Sequence, residues 1–155
     1  MEWFKVEWKG PFSTDGSLSR PEAKGTGVYA IYGMRGREFH KLLYIGETFK
    51  QTFGKRLKQH ERDWFENARE PHMAVCFGEV YLPKNKRLSG KRVVDVEGLL
   101  IHTEKPPFNT VSKRGYKGRG ILVINTGKLG LLQPVATDKD NDDLIALLRK
   151  TLCSG

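Results

Sequence analysis

The chain predicts a single domain of α/β (α+β) class, on three observations. Runs at 4–8, 28–32, 42–45 and 73–82 are alternating, β-branched or aromatic, the pattern of strands. Segments at 51–68, after Ser89 and at 140–152 place apolar residues at helical spacing. The 155 residues, 38% of them hydrophobic, furnish one core but not two. No repeat, low-complexity tract or linker divides 1–155 into domains.

Taken in order, Phe4, Val6 and Trp8 alternate with Lys5 and Glu7 as an N-terminal strand closed by Gly10-Pro11. Residues 12–25, rich in Ser, Gly, Pro and Asp, read as a loop. Val28–Tyr32 and Leu42–Ile45 are strands joined by a polar turn at Arg35-Gly36-Arg37, which predicts an antiparallel hairpin. In 51–68, Phe53, Leu57 and Trp64 make an apolar helix side, with Arg56, His60 and Asp63 beside it. Met73 to Leu82 is a third core strand. Ser89 caps the next helix, whose apolar residues are Val93, Val94, Val96, Leu99, Leu100 and Ile101, and Pro106-Pro107 stops it. Ile121–Ile124 and Leu129–Leu132 predict a further hairpin turning at Asn125-Thr126-Gly127. Asp140–Leu152, with Leu144, Leu147, Leu148 and Leu152, predicts a terminal helix opened by acidic residues that favour its dipole.

Charge and cysteine usage narrow the function. Lys and Arg number 27 against 18 Asp and Glu, a formal net charge of +9, which favours a polyanionic partner such as nucleic acid; a basic protein with no such partner is the plainer alternative. Cys76 lies in an apolar run and predicts a buried free thiol, and with Cys153 makes neither a zinc pattern nor a disulfide framework. That suits a reducing cytoplasmic setting. The charged amino terminus and the lack of a long apolar run predict no signal peptide and no membrane span.

Several polar residues stand out against these elements. Glu97 has Val93, Val94, Leu100 and Ile101 as its helical neighbours, so a carboxylate projects from the face expected to pack on the sheet. Unpaired, it must find a partner or take up a proton. A salt bridge is the ordinary outcome, and a ligand for a hard cation such as Mg²⁺ the sharper one. Arg56 and His60, four residues apart, share a helix face. They suit a phosphate brace and a proton acceptor, or simply a solvated face among Lys55, Lys58, Gln59 and Glu61. Tyr29 and Tyr44 lie on neighbouring strands, where tyrosine ordinarily packs with its hydroxyl at the rim. Gly27 and Gly46 permit close approach of a ligand. Asn109 follows Lys105-Pro106-Pro107-Phe108 and can hold a carboxylate or phosphate, or cap a loop.

In this order these residues resemble the GIY-YIG endonucleases. The first triplet is Gly27-Val28-Tyr29, with Val in place of Ile, and the second is Tyr44-Ile45-Gly46. Arg56 and His60 match the helix pattern of that family, Glu97 its metal-binding glutamate, and Asn109 its asparagine beyond a proline-containing loop. The resemblance spans about residues 26–110. It implies a small sheet of about three antiparallel strands flanked by helices, here with an extra N-terminal strand and a C-terminal hairpin plus helix. It further implies one Mg²⁺ (or Mn²⁺) on Glu97 and hydrolysis of DNA phosphodiesters. Tyr29 would be the general base, alone or by passing the proton toward His60. Arg56 would steady charge on the phosphoryl oxygens, Tyr44 would orient the phosphate or water, Gly46 would lie against the nucleic acid and Asn109 would keep the site in shape.

Beyond that module, Lys113, Arg114, Lys117 and Arg119, with Tyr116 and glycines interleaved, form a basic cluster suited to a phosphate backbone or to a solvated loop. The expected function is a stand-alone Mg²⁺-dependent DNA endonuclease of restriction, repair or mobile-element type. It would act as a homodimer, as a subunit of a larger complex, or by successive visits of one site. The alternatives are a non-catalytic nucleic-acid-binding module with the same fold, and a structural basic protein.

Overall fold

The computed structural model describes residues 2–14, 27–49, 52–83, 86–109, 116, 118, 120–138 and 142–153. Their strands are β1 (Glu2–Ser13), β2 (Val28–Arg35), β3 (Glu38–Glu47), β4 (Met73–Tyr81), β5 (Ile121–Gly127) and β6 (Val135–Thr137). Their helices are α1 (Phe53–Asp63), α2 (Phe65–Ala68), α3 (Gly90–Glu104) and α4 (Asp142–Cys153).

All six strands join one mixed sheet in the order β3-β2-β4-β1-β5-β6. This corrects the expected small three-stranded sheet with satellites. The antiparallel trio β3-β2-β4 exists, but it is half of a larger sheet. The N-terminal strand is its centre: β1 pairs antiparallel with β4 and parallel with β5. Phe4, Val6 and Trp8 are buried accordingly. A parallel partner more than a hundred residues away leaves no local trace, because such pairing needs a long crossover instead of a turn.

Gly10-Pro11 does not end β1. It lies in the register shift between Lys9 and Phe12, and β1 runs on to Ser13. Pairing with β5 stops at Trp8, so Pro11 sits where the strand is bonded on one side only, and its missing N–H costs no ladder bond there. The C-terminal hairpin is also displaced. β5 continues through Asn125-Thr126-Gly127, and its partner is Val135–Thr137, not Leu129–Leu132. Asn125, expected in a turn, is buried in β5; its Oδ1 accepts from Trp8 Nε1 at 2.9 Å and its Nδ2 donates to the Gln133 carbonyl at 2.8 Å.

The two faces carry separate cores. On one, α3 buries Val93, Val96, Leu99, Leu100 and Ile101 against Phe4, Val6, Val28, Ala30 and Val123. Ser89 caps this helix as expected, accepting from Arg92 N. α3 meets both edge strands, β3 and β6, so the sheet curls around it. On the other face, Phe53 and Leu57 of α1 pack with Tyr29, Ile31, Leu43, Val75 and Phe77. The predicted helix 51–68 breaks at Trp64, whose φ of −148° and ψ of −8° separate α1 from α2. Cys76 is a buried free thiol, its titration pushed up to about 12 by burial. No helix among the described residues is long and apolar enough to cross a membrane.

Candidate active site

The polar residues singled out above gather at one end of edge strand β3, between α1 on one face and α3 on the other. β2 and β3 are adjacent, with Tyr29 opposite Gly46 and Ile31 opposite Tyr44. Both tyrosines point toward α1, and their rings lie 6.0 Å apart. The glycine opposite Tyr29 has a definite use: a Cβ on Gly46 would overlap the Tyr29 Cζ and Oη. The close approach it allows is that of the phenol itself. Gly27 likewise lies against the Gly78 carbonyl of β4.

Tyr29 is wholly buried, yet its hydroxyl is not in an apolar environment. Its Oη lies 2.6 Å from His60 Nε2, and the guanidinium of Arg56 is close enough to act electrostatically on both phenols. His60 is 4% exposed, so Arg56 and His60 are not a solvated face; Lys55, Lys58 and Glu61 take that role. Burial pushes the Tyr29 and Tyr44 hydroxyls up from their ordinary value, while Arg56 pulls both down. Burial draws the Arg56 guanidinium down, but the two phenols outweigh it and the net shift is upward. Burial, then Arg56, lowers His60 to about 4, so its imidazole is neutral at pH 7.

Glu97 sits at the border of the buried stripe of α3. Its neighbour Val94 is 50% exposed, whereas Val93, Leu100 and Ile101 are buried. Its carboxyl makes no ion pair among the described residues, and burial followed by the nearby Glu47 raises it to about 7 against the opposing pull of Arg56. A cleft of about 520 Å³ is lined by Glu47, Thr48, Phe49, Arg56, Lys91 and Val94, among others; Arg56 is on its wall, whereas Glu97, Tyr29, Tyr44 and His60 are not. Thr48 Oγ1 is buried there without a hydrogen-bond partner among the described residues.

Asn109 works through β3. Its Oδ1 accepts from Ile45 N at 2.9 Å and its Nδ2 donates to Ile45 O at 2.7 Å, while Phe108 N donates to Leu43 O at 3.0 Å. The segment after α3 thus satisfies the outer edge of β3 and holds Tyr44-Ile45-Gly46 in place. With both amide atoms engaged, Asn109 is a positioning residue.

Lys113, Arg114, Lys117 and Arg119 lie outside the described residues. Among the described residues, Asp138 accepts from Tyr116 Oη at 2.8 Å and from Gly120 N and Ile121 N at 3.0 Å each. It therefore serves the entry to β5, and α4 opens later with Asp142 and Asp143. Asp140 lies outside the described residues.

Sequence reasoning passes over four members of this region. Glu47, Thr48 and Lys91 carry no local pattern that sets them apart from surface residues. Trp64 reads as part of an apolar helix side, but its indole Nε1–H donates to His60 Nδ1 at 2.9 Å. Its spacing of four from His60 is the available signal.

No protein-family model, curated protein or solved structure matches this chain.

Proposed function

We propose that this protein is a divalent-metal-dependent endonuclease hydrolysing DNA phosphodiesters in the manner of the GIY-YIG enzymes. The observation that carries the reading is the gathering of Tyr29, Tyr44, Arg56, His60 and Glu97 from β2, β3, α1 and α3 around one end of β3, where Glu97 has no ion pair among the described residues and Arg56 and Glu47 line an open cleft.

The donor set fits Mg²⁺ or Mn²⁺. Among the described residues no group of three or more His, Cys, Asp or Glu side chains gathers, so a cation here would rest on few protein ligands. A hard cation bound by one or two carboxylates, with water and substrate phosphate filling its other positions, needs no more than Glu97, aided by Glu47. When bound, such an ion polarises a phosphoryl oxygen and steadies the leaving oxygen.

The chain's own groups supply the rest. Arg56, a planar donor held by Gln59 at 2.6 Å, meets charge growing on the phosphoryl oxygens. Once its own proton has passed to solvent, Tyr29 takes the proton of the attacking water as a phenolate, a form that Arg56 favours and burial opposes. The water oxygen bonds to phosphorus as the bond to the departing sugar oxygen breaks, and that oxygen leaves with the bonding pair. Tyr44, half-buried at the same place, orients the phosphate or the water.

The complete burial of Tyr29 favours a second reading, a nucleic-acid-binding module that does not cut. Incubation with single-stranded, duplex and branched DNA and with RNA, with and without Mg²⁺, separates the two. Cleavage that needs the metal, and that Glu97→Ala abolishes while binding and folding persist, is the expected result. Cutting at the wild-type rate by Glu97→Ala would remove the metal role. Salt-dependent binding without cleavage would favour the second reading.

A further inference from the structure

We propose that Trp64 is a positioning residue. It fixes His60 in the Nε2–H tautomer and so makes His60 a hydrogen-bond donor to Tyr29, not the acceptor of its proton. As an account of proton handling in the site, this rests on the nuclease reading above; as a statement about the hydrogen-bond network, it does not.

The inference follows from the directionality of three groups. An indole Nε1–H can donate but never accept. Because Trp64 Nε1 lies 2.9 Å from His60 Nδ1, that imidazole nitrogen must present its lone pair. A neutral imidazole carries one proton, so it resides on Nε2, the atom 2.6 Å from Tyr29 Oη. The Tyr29 oxygen is therefore an acceptor toward His60, and its own proton points elsewhere. An imidazolium would set two N–H groups against each other at Trp64, so the same contact also disfavours charged His60.

The backbone is shaped to make this contact. Helix α1 stops at Asp63, and Trp64 leaves helical geometry before α2 begins. Its ring is then clamped by Phe108, with centroids 4.8 Å apart and planes within 12°, and edge-on by Phe65 at 4.9 Å. Phe108 precedes Asn109, the residue that braces Ile45, so one short segment fixes both the β3 edge and the Trp64 ring. A tryptophan needed only as filler has no reason to aim its N–H at a ring nitrogen.

The chemical consequence is a choice between the two routes that the family resemblance left open. With the Nε2 proton in place, His60 cannot receive a proton from Tyr29. It stabilises the phenolate by donation, while Arg56 does so through its charge, and the proton taken from water stays on Tyr29.

The test is a long-range ¹H–¹⁵N correlation spectrum of the full chain labelled at histidine, at neutral pH. Wild type is expected to show His60 with a pyridine-type Nδ1 and a pyrrole-type Nε2. The opposite pattern would overturn the proposal before any variant is made. In Trp64→Phe, which keeps a ring against Phe108, the Nδ1 partner is lost and the two nitrogens should move toward averaged shifts; an unchanged His60 pattern in the folded variant would refute the positioning role. Tyr29→Phe keeps Trp64 and should retain the wild-type tautomer, and an inverted tautomer there would mean that Tyr29, not Trp64, sets it. If the protein cleaves DNA, Trp64→Phe should slow single-turnover cleavage by roughly tenfold or more at unchanged affinity. An absence of cleavage by wild type counts against the nuclease reading, whereas the spectra judge the tautomer alone.

Discussion

Replacing Glu97 by Gln removes a charge that the fold holds at a cost. The carboxyl moves from an ordinary 4.5 to about 7, through burial first and Glu47 second. Folded Glu97 therefore keeps a proton that the unfolded chain has released between those values. Unfolding releases that proton, so this residue's contribution to stability falls as pH rises from 4.5 to 7 and is fully adverse above. At about 1.4 kcal/mol per pH unit, the penalty at pH 8 is about 3 kcal/mol. His60 works in the opposite sense: lowered from 6.5 to about 4 by burial and Arg56, it gives a contribution that rises as pH climbs through that window. The two slopes largely cancel in wild type, so only the difference between variant and wild type isolates Glu97. Urea denaturation of both proteins at pH 5 and pH 8, without divalent ions, provides it. Glu97→Gln should gain about 2–3 kcal/mol on wild type between the two pH values, the offset at either one including the cost of a buried amide. A flat difference, or a gain at pH 5 that vanishes at pH 8, would show that the carboxylate is compensated by a partner, and the case for a cation there would fall with it.

Three other substitutions probe the arrangement. Tyr29→Phe removes the phenol oxygen next to His60 and should lower kcat by roughly a hundredfold or more while binding of uncleaved DNA stays near wild type; single-turnover kinetics beside a binding titration checks it. Asn109→Ala leaves the Ile45 N–H and C=O without their partners and should cost about 1–3 kcal/mol, read as a lower denaturation midpoint. Gly46→Ala drives a methyl into the Tyr29 ring and should cost about 1–3 kcal/mol together with activity, seen by the same denaturation and by cleavage rate.

Local pattern carried much of this structure. The alternation of Phe4, Val6 and Trp8, the hairpin with its turn at Gly36-Arg37, the core strand from Met73 and the Ser89 cap are all set by period, turn chemistry and capping, which act within a few residues. The break at Trp64 escaped the pattern because it answers to a ring packed from beyond α3. Asn125 escaped because its partner, Trp8, is 117 residues away.

The same division holds for the candidate site. Side-chain chemistry offered Tyr29, Tyr44, Arg56, His60, Glu97 and Asn109 as candidates, because hydroxyl, guanidinium, imidazole, carboxylate and amide are intrinsic to the residues, and the resemblance of their order to a known family singled them out. Whether Glu97 would find an ion pair, which atom of His60 faces the phenol, and that Asn109 serves the β3 edge depended on distances between separate segments. Only the six-stranded sheet, with β1 inserted between β4 and β5, sets those distances. Desolvation and hydrogen-bond direction are properties of neighbours in space, and most neighbours in this fold are far apart along the chain.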